Sequence, residues 1–382
     1  MEQGQEDARP GFLQAFEGLE DPRSRACPHP LDELLLVALC AITSGAESWV
    51  TVVEWGCMKL DWLRRWLPFA NGIASHDTFS RVFSLLDAKG FEACFLGWMR
   101  HLCPTLQDQL VSIDGKSVRG SHEAGLGMTH LVSAWHHGAG LVLGQVRTAA
   151  KSNEITAIPE LLDALDLRGT TVTIDAVGCQ HAIVEKIIEK KADYLIAVKN
   201  NQPSLAQAVE SLFEDVEAGV RDGRLQQNTT IDKAHGRIET RQCVVAHDVS
   251  VLAEAGHWPG LRSAVMIKSI REAFGSKHKG ERTVEWRYYI SSLRADAAEL
   301  NAKVRAHWGI ENGCHWVLDV TFNEDACRIR RGDGAQNFAI LRRIALNLIK
   351  QEKSGKSSVR TRRLKAGWSI DYLQKLLGLR PL

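Results

Sequence analysis

The chain has 382 residues, of which 45% are hydrophobic and 24% charged, and its formal net charge is +1. This length allows one large hydrophobic core with a smaller satellite domain, and the composition excludes a chain that is disordered throughout. The longest apolar stretch, around residues 34–42, is too short to span a bilayer, and residues 1–25 are too acidic and polar for a signal peptide. We therefore predict no membrane partner.

The cysteines and the charge distribution indicate the environment and the kind of partner of this protein. Nine cysteines occur singly, without a C-x-x-C pair, so neither a disulfide framework nor a zinc ribbon is indicated, and a reducing cytoplasm fits best. Residues 301–382 contain 16 basic and 7 acidic residues, whereas the first 300 contain 31 basic and 39 acidic residues. The C-terminal part is therefore predicted to face a polyanion.

The first hundred residues have helical patterns. Apolar residues between positions 31 and 42 follow the spacing of one helix face, and residues 50–67 and 78–102 are amphipathic and rich in Trp and Phe. The tryptophans recur at helical spacing, which favours core packing over base stacking. We predict a helical N-terminal domain over residues 1–105.

Strand patterns begin after residue 109. Residues 110–113, 129–135 and 141–146 predict three strands, and the glycine-rich turn at 138–140 joins the last two as a hairpin. Helix and strand patterns then alternate, with strands at 171–174 and 194–198. This order predicts an α/β domain over residues 106–350, in which a mixed sheet is flanked by helices.

A second group of strands interrupts this domain. Residues 239–246, 263–269 and 284–291 predict strands separated by charged loops such as residues 276–281, and we interpret residues 219–290 as a β-rich insertion. A long helix is predicted to start near Asp296, with Glu299 completing an N-terminal cap. Residues 351–382 are predicted to form a basic tail.

Two aspartates at strand positions are the first candidate site residues. Asp114 lies within the apolar run Val-Ser-Ile-Asp-Gly, and Asp175 ends the run Thr-Val-Thr-Ile-Asp. A carboxylate in a buried strand costs several kcal/mol, on the order of 5, unless a metal or cation compensates. Asp114 could instead simply start a turn before Gly115, and a single Asp at a strand end is common. Two such residues on neighbouring strands favour a metal site, since ligands collect at strand ends.

The third acid is predicted on the helix that follows the insertion. Leu300, Val304, Trp308, Glu311 and His315 share one face at helical spacing, so Glu311 is predicted to point with the apolar residues. A Glu paired with a nearby cation is the simpler interpretation of this residue alone.

Asp319, Glu324 and Asp325 compete with Glu311 for this position. Asp319 keeps the same helix face and ranks second. Three converging carboxylates suit Mg²⁺ or Mn²⁺, and two such ions can activate a nucleophile and stabilise the leaving oxygen of a phosphodiester.

Several motifs resemble the H-repeat-associated, Rhs-linked insertion-sequence transposases. In the catalytic part they are Asp-Gly-Lys-Ser-Val-Arg-Gly at 114–120, Ile-Asp-Ala-Val-Gly-Cys-Gln at 174–180, Val-Lys-Asn-Asn-Gln at 198–202 and His-Trp-Gly-Ile-Glu-Asn at 307–312. Asp-Pro-Arg at 21–23 and Ser-His-Asp-Thr-Phe at 75–79 resemble the helical associated domain of that family. The resemblance covers residues 10–350.

The resemblance implies an RNase H-like catalytic domain in which Asp114, Asp175 and Glu311 form a DDE triad and bind the metal ions. Broader relatives place Tyr, Arg and Lys at fixed offsets around the Glu, where this chain has Val304, His307 and Leu318. The phosphate-orienting role is therefore assigned to other side chains: His307, Arg305 or Arg328.

The predicted partner is double-stranded DNA. Further DNA-contacting residues are predicted beside a strand end and in the basic C-terminal part, where they lack acidic neighbours in the sequence: Lys116, Arg342, Arg343, Arg362 and Arg363. Transposases commonly act as multimers, so a homo-oligomer on DNA is expected.

The predicted function is that of a DNA transposase of an insertion sequence, which cleaves element ends with Mg²⁺ or Mn²⁺ and transfers the strand to target DNA in the bacterial cytoplasm. Two alternatives remain. One is an RNase H-like nuclease without strand transfer, and the other is a non-catalytic DNA-binding protein descended from a transposase.

Overall fold

The computed structural model describes residues 11–24, 27–123, 127–148, 154–218, 225–234, 236–273 and 281–379. The predicted start of the insertion, near residue 219, and most of the predicted charged loop at 276–281 lie outside these residues. None of the described helices is long and apolar enough to cross a membrane.

The N-terminal part is helical, as predicted. Its helices are Gly11–Ala15 (α1), Leu31–Thr43 (α2), Trp49–Met58 (α3), Leu60–Leu63 (α4), His76–Leu85 (α5) and Ala88–Leu102 (α6). The Ser48 side chain accepts a hydrogen bond from the Thr51 amide and fixes the start of α3. Trp49, Trp55 and Trp62 are buried, so the prediction of core packing is confirmed for these tryptophans.

Nine strands of the described residues form one sheet. They are Leu110–Glu123 (β1), Gly127–His136 (β2), Leu141–Arg147 (β3), Thr171–Ile174 (β4), Asp193–Val198 (β5), Gln226–Ala234 (β6), Arg237–Ala246 (β7), Ser263–Ala273 (β8) and Arg282–Ser291 (β9). Their order is β3-β2-β1-β4-β5-β9-β8-β7-β6. Only the β1–β4 and β4–β5 pairs are parallel. The predicted mixed sheet is therefore confirmed.

The strands of the predicted insertion continue this sheet. β9 pairs with β5 in antiparallel fashion, with Leu195 opposite Ser291 and Val198 opposite Tyr288. β8, β7 and β6 follow outward by antiparallel pairing. The predicted strands correspond to β7, β8 and β9, whereas β6 was not predicted.

Helices cover both faces of the sheet. On one face lie Glu154–Ala164 (α7), which follows β3, and His181–Glu189 (α8), which connects β4 to β5. Pro203–Glu217 (α9) follows β5, and Ala297–His307 (α10) lies against the opposite face. The alternation along β5 shows this arrangement, because Leu195 packs with Leu300 and Val304 of α10 and its neighbours pack in the main core.

The chain does not continue α10 as one helix. The Asp296 side chain accepts from the Glu299 amide, which confirms the predicted N-cap, but α10 ends at His307. The next elements are a π-helical turn at Glu311–His315, Trp316–Phe322 (α11), Gly334–Gln351 (α12), Val359–Trp368 (α13) and Ile370–Leu376 (α14). α12 packs on α2, α5, α6 and β3, so N-terminal helices and sheet share one core.

Candidate metal centre

Asp114 lies within β1 and Asp175 directly follows β4, and the two residues are at the same level of these neighbouring strands. Ile113 of β1 pairs with Ile174 of β4 in parallel register, and each aspartate is the next residue in its chain. Two residues before the aspartates, and therefore on the same face of the sheet, the Thr173 hydroxyl lies 3.0 Å from the Ser112 hydroxyl. The Asp175 carboxylate also accepts a hydrogen bond of 3.0 Å from the Val177 amide.

The π-helical turn places two further ligand-type groups over Asp114. The His315 Nδ1 lies 3.4 Å from Asp114 Oδ2 and 3.3 Å from Glu311 Oε2. One ligand atom from each of the three residues lies within 4.8 Å of the others. The His315 side chain is 4% exposed and that of Glu311 is 53% exposed, so the acid lies at the open side of the group.

The exposure of Glu311 corrects one sequence prediction. Glu311 does not lie on a continuous buried stripe, since Trp308 and Glu311 are exposed between the buried residues Val304 and His315. The Glu311 carboxylate nevertheless lies close to Asp114 and His315, at the start of the π-helical turn.

Asp114, Asp175 and Glu311 line one cavity of about 200 Å³. His307 lies on its wall, and two basic side chains also line it: Lys199, which follows β5, and Arg287 of β9. Residues of β1, β4, β9 and the helical segment after the insertion therefore line this cavity.

The electrostatics of the cavity favour a cation. Burial raises the pKa of Asp175, and the charges of Asp114 and Glu154 raise it further. The hydrogen bond from His315 lowers the pKa of Glu311. Burial alone would lower the pKa of His315, but Asp114 and Glu311 raise it overall. Carboxylates gathered in a partly buried site thus repel one another and draw positive charge.

The donor set fits a divalent metal ion. Carboxylate oxygens from Asp114 and Glu311 and a ring nitrogen from His315 lie close enough to bind one ion together. Asp175 is on the next strand and lines the same cavity. These four residues could therefore hold a metal ion between the sheet and the π-helical turn.

Asp319, the second-ranked third acid, is engaged elsewhere. Its Oδ1 lies 2.8 Å from Lys116 Nζ, which also lies 2.7 Å from Asp325 and 3.5 Å from Glu324. Burial would lower the pKa of Lys116, but these acids raise it overall. Lys116 is buried, so the prediction that it contacts DNA is wrong.

The predicted phosphate-orienting residues have different positions. His307 Nδ1 lies 2.9 Å from the Thr173 hydroxyl, and burial lowers the pKa of its ring, which favours the neutral form. Arg305 lies 2.6 Å from Asp232 of β6, outside the cavity lining. Arg328 is exposed, between α11 and α12. The structure brings only His307 into the cavity.

Three of the predicted DNA-contacting arginines are buried, and this part of the prediction is wrong. Arg343 lies 3.0 Å from Glu324 with both side chains fully buried, and Arg342 lies over the Phe338 ring. Arg363 is 5% exposed and donates to backbone carbonyls. Arg362, which is half-buried, donates to the carbonyl oxygens of Ile349 in α12 and of Gly355 in the α12–α13 connection.

The sequence analysis missed Lys199 and Arg287 as cavity residues and His315 as a neighbour of Asp114 and Glu311. His315 stands four positions after Glu311, a spacing that brings side chains together on a helix. Lys199 follows a predicted strand end, but Arg287 gave no signal because it comes from the insertion. Asn201 and Gln202 donate to the carbonyls of Ala176 and Cys179 and so hold the turn after Asp175.

The fold and the cavity together define a mixed α/β protein with a cluster of acidic side chains that could hold a metal ion. The family described as Transposase DDE domain matches residues 80–348, and the DDE_Tnp_1-associated family matches residues 13–99. The chain therefore belongs to the DDE transposase family, and its function is that of an insertion-sequence transposase.

Relatives cover nearly the whole chain. It is 41% identical to the putative transposase YncI of Escherichia coli O157:H7, over 92% of this chain and 90% of that protein. It is 39% identical to the H repeat-associated putative transposase YhhI of Escherichia coli K12, over 92% and 93%. A piggyBac transposase synaptic complex with hairpin DNA matches at a TM-score of 0.44 and 12% identity, covering 97% of this chain and 78% of that one, which is too distant to support a conclusion.

Proposed function

We propose that Asp114, Asp175 and Glu311 are the catalytic metal ligands of this transposase, and that they bind two Mg²⁺ or Mn²⁺ ions. The observation that supports this proposal is the convergence of these three acids on one cavity in a chain that matches the DDE domain over residues 80–348. Asp319 is a weaker candidate, since it is paired with Lys116.

The proposed reaction is hydrolysis at an element end, followed by attack of the freed 3′ hydroxyl on target DNA. Two bound ions would supply an activated water and a stabilised leaving oxygen. Asp114 and Asp175 hold their carboxylates from the rigid sheet, and Glu311 closes the site from the π-helical turn. Lys199 and Arg287 offer the positive charge that a scissile phosphate needs at the cavity wall.

The partner is double-stranded DNA, bound as element ends and as target, by a homo-oligomer in the bacterial cytoplasm and nucleoid. We propose an RNase H-like catalytic domain over residues 106–350. The antiparallel β1–β2–β3 strands followed by the parallel β4 and β5 support this fold. Residues 1–105 and 351–382 then flank it as the associated domain and the C-terminal region.

A plasmid assay tests the proposal. The purified chain should nick supercoiled DNA carrying the element ends when Mg²⁺ is added, and Asp175→Ala should reduce the rate by at least about 100-fold because a metal ligand is lost. Asp163→Asn, an exposed α7 residue, is the control. Equal cutting by Asp175→Ala and the parent would refute the assignment.

Strand transfer separates the transposase from a nuclease. With labelled element ends and an unlabelled target plasmid, the transposase is expected to give joined product. Cleavage without joined product would support the nuclease alternative.

A further inference from the structure

The carboxylate of Glu154, the first residue of α7, lies beside β1 directly after Asp114. A Cβ atom at Gly115 would lie 2.1 Å from Glu154 Oε1 and 2.6 Å from His130 Nε2. Gly115 directly follows Asp114, so the Glu154 carboxylate occupies the space that any side chain at this position would fill. The missing side chain thus admits an acid beside the backbone of the residue that follows a proposed metal ligand.

Two neighbouring strands hold this carboxylate in place. Glu154 Oε1 lies 2.7 Å from His130 Nε2, and His130 Nδ1 lies 2.9 Å from the Ser117 hydroxyl. Ser117 and His130 are opposite one another in the β1–β2 register. The side chains of Glu154 and His130 are 20% and 26% exposed, so the chain of contacts is partly shielded from solvent.

Glu154 also acts on the second aspartate. Its charge contributes to the raised pKa of Asp175, after burial and the charge of Asp114. Three carboxylates that oppose one another's ionisation are unfavourable unless a cation compensates them. The hydrogen bond to His130 keeps the Glu154 carboxylate at this place instead of letting it turn to solvent.

We propose that Glu154 is a fourth acidic residue of the metal centre and that His130 positions its carboxylate. This inference rests on the proposed metal-binding function of Asp114, Asp175 and Glu311. Glu154 strengthens the binding of divalent ions by adding negative charge, and Gly115 is required because a larger residue would displace it.

The test is a Mn²⁺ titration of the full-length chain, in which free Mn²⁺ is followed by electron paramagnetic resonance. Glu154→Gln keeps the size of the side chain and removes its charge. We expect the Mn²⁺ concentration at half-saturation to rise about three- to tenfold, the effect of one partly screened charge on a divalent ion. Glu160→Gln is the matched control, since Glu160 is an exposed acid on the same helix that contacts Lys89.

Asp114→Asn separates failure of this inference from failure of the proposed function. If Asp114→Asn loses Mn²⁺ binding while Glu154→Gln binds like the parent, Glu154 is not part of the centre and the function stands. If Asp114→Asn also binds like the parent, the metal centre itself is wrong.

Gly115→Ala gives an independent test, because its methyl group must push Glu154 away. A variant with the parent's melting temperature should show the same direction of shift in Mn²⁺ binding as Glu154→Gln. Unchanged binding in a folded Gly115→Ala protein would overturn the inference even if Glu154→Gln failed to fold.

Discussion

His315 provides the counter-charge for the acids around it. Its ring is buried, with one nitrogen between the carboxylates of Asp114 and Glu311. These two groups raise the pKa of the ring against the effect of burial, which favours the protonated ring when no metal ion is bound. The two carboxylates can therefore lie close together in the folded chain without an unbalanced charge.

The buried acid Glu92 of α6 makes the free energy of unfolding depend on pH. The side chain is 7% exposed and accepts a hydrogen bond of 2.8 Å from Gln336 of α12. Burial raises the pKa of Glu92 to about 7, against 4.5 for the free side chain. The folded state therefore holds this proton more tightly than the unfolded chain, and its contribution to stability is lost as the pH rises from 4.5 to 7.

Glu92→Gln should stabilise the protein at high pH. Because the amide carries no charge, we expect the free energy of unfolding at pH 8 to rise by up to about 3 kcal/mol, and the difference to disappear near pH 4.5. Urea unfolding of the parent and the variant at both pH values measures this. Glu185→Gln, at an exposed site on α8, is the control. If the free energy of unfolding changed with pH in the same way in the parent and in Glu92→Gln, the prediction would be contradicted.

Sequence patterns pointed to the three acids that line the cavity but not to their surroundings. Asp114 and Asp175 could be picked out because each carboxylate directly follows an apolar, strand-like run. Glu154 gave no such signal, since a Glu at the start of a helix is ordinary. Its proximity to Gly115 depends on how α7 packs on the sheet, which is a tertiary contact.

At the level of elements, a buried ion pair joins α12 to the segment after α11. Arg343 and Glu324 lie 3.0 Å apart and are fully buried, and Glu324 also lies 3.5 Å from Lys116. Removing one partner of such a pair leaves a charge without compensation, whereas removing both can be nearly neutral.

Arg343→Met should therefore reduce the free energy of unfolding by about 3–5 kcal/mol. The double variant Arg343→Met/Glu324→Met should recover most of this loss, because Lys116 keeps Asp319 and Asp325 as partners. Denaturant unfolding measures both, with exposed Arg331→Met as control. A single variant as stable as the parent would show that the pair contributes no stability.

Element prediction failed where periodicity was weak or interrupted. β6 has the sequence QQNTTIDKA, which has no regular alternation, and its position is fixed by pairing with β7. The apolar spacing of α10 continues past His307 in the sequence, so the π-helical turn could not be anticipated. By contrast, β4 was predicted with its observed bounds because it is a short run of β-branched residues.

At the scale of the whole molecule, the C-terminal helices are part of the core. Arg363 of α13 donates to the carbonyl oxygens of Ile42, Ala46 and Thr321, and its guanidinium lies over the Phe322 ring. From the charges along the sequence, residues 351–382 were predicted to be a basic tail without acidic partners. The fold supplies partners from distant segments, such as Glu47, which lies 3.4 Å from Arg363.

Arg363→Ala should destabilise the whole chain. Three carbonyl groups would lose a buried donor, and we expect the free energy of unfolding to fall by about 3–5 kcal/mol. Thermal unfolding of Arg363→Ala and of the exposed Arg360→Ala measures the difference. Melting of both variants at the parent's temperature would contradict the assigned role.

The unbroken pairing of β5 with β9 has a mechanical consequence. Main-chain hydrogen bonds join residues 195–198 to residues 288–291 beside the cavity, so the sheet cannot hinge there without breaking them. Under the proposed function, the DNA duplex is cleaved beside this rigid part of the sheet. We therefore expect the DNA, whose bending energy is only about 1–6 kcal/mol for a short site, to supply most of the deformation needed for engagement.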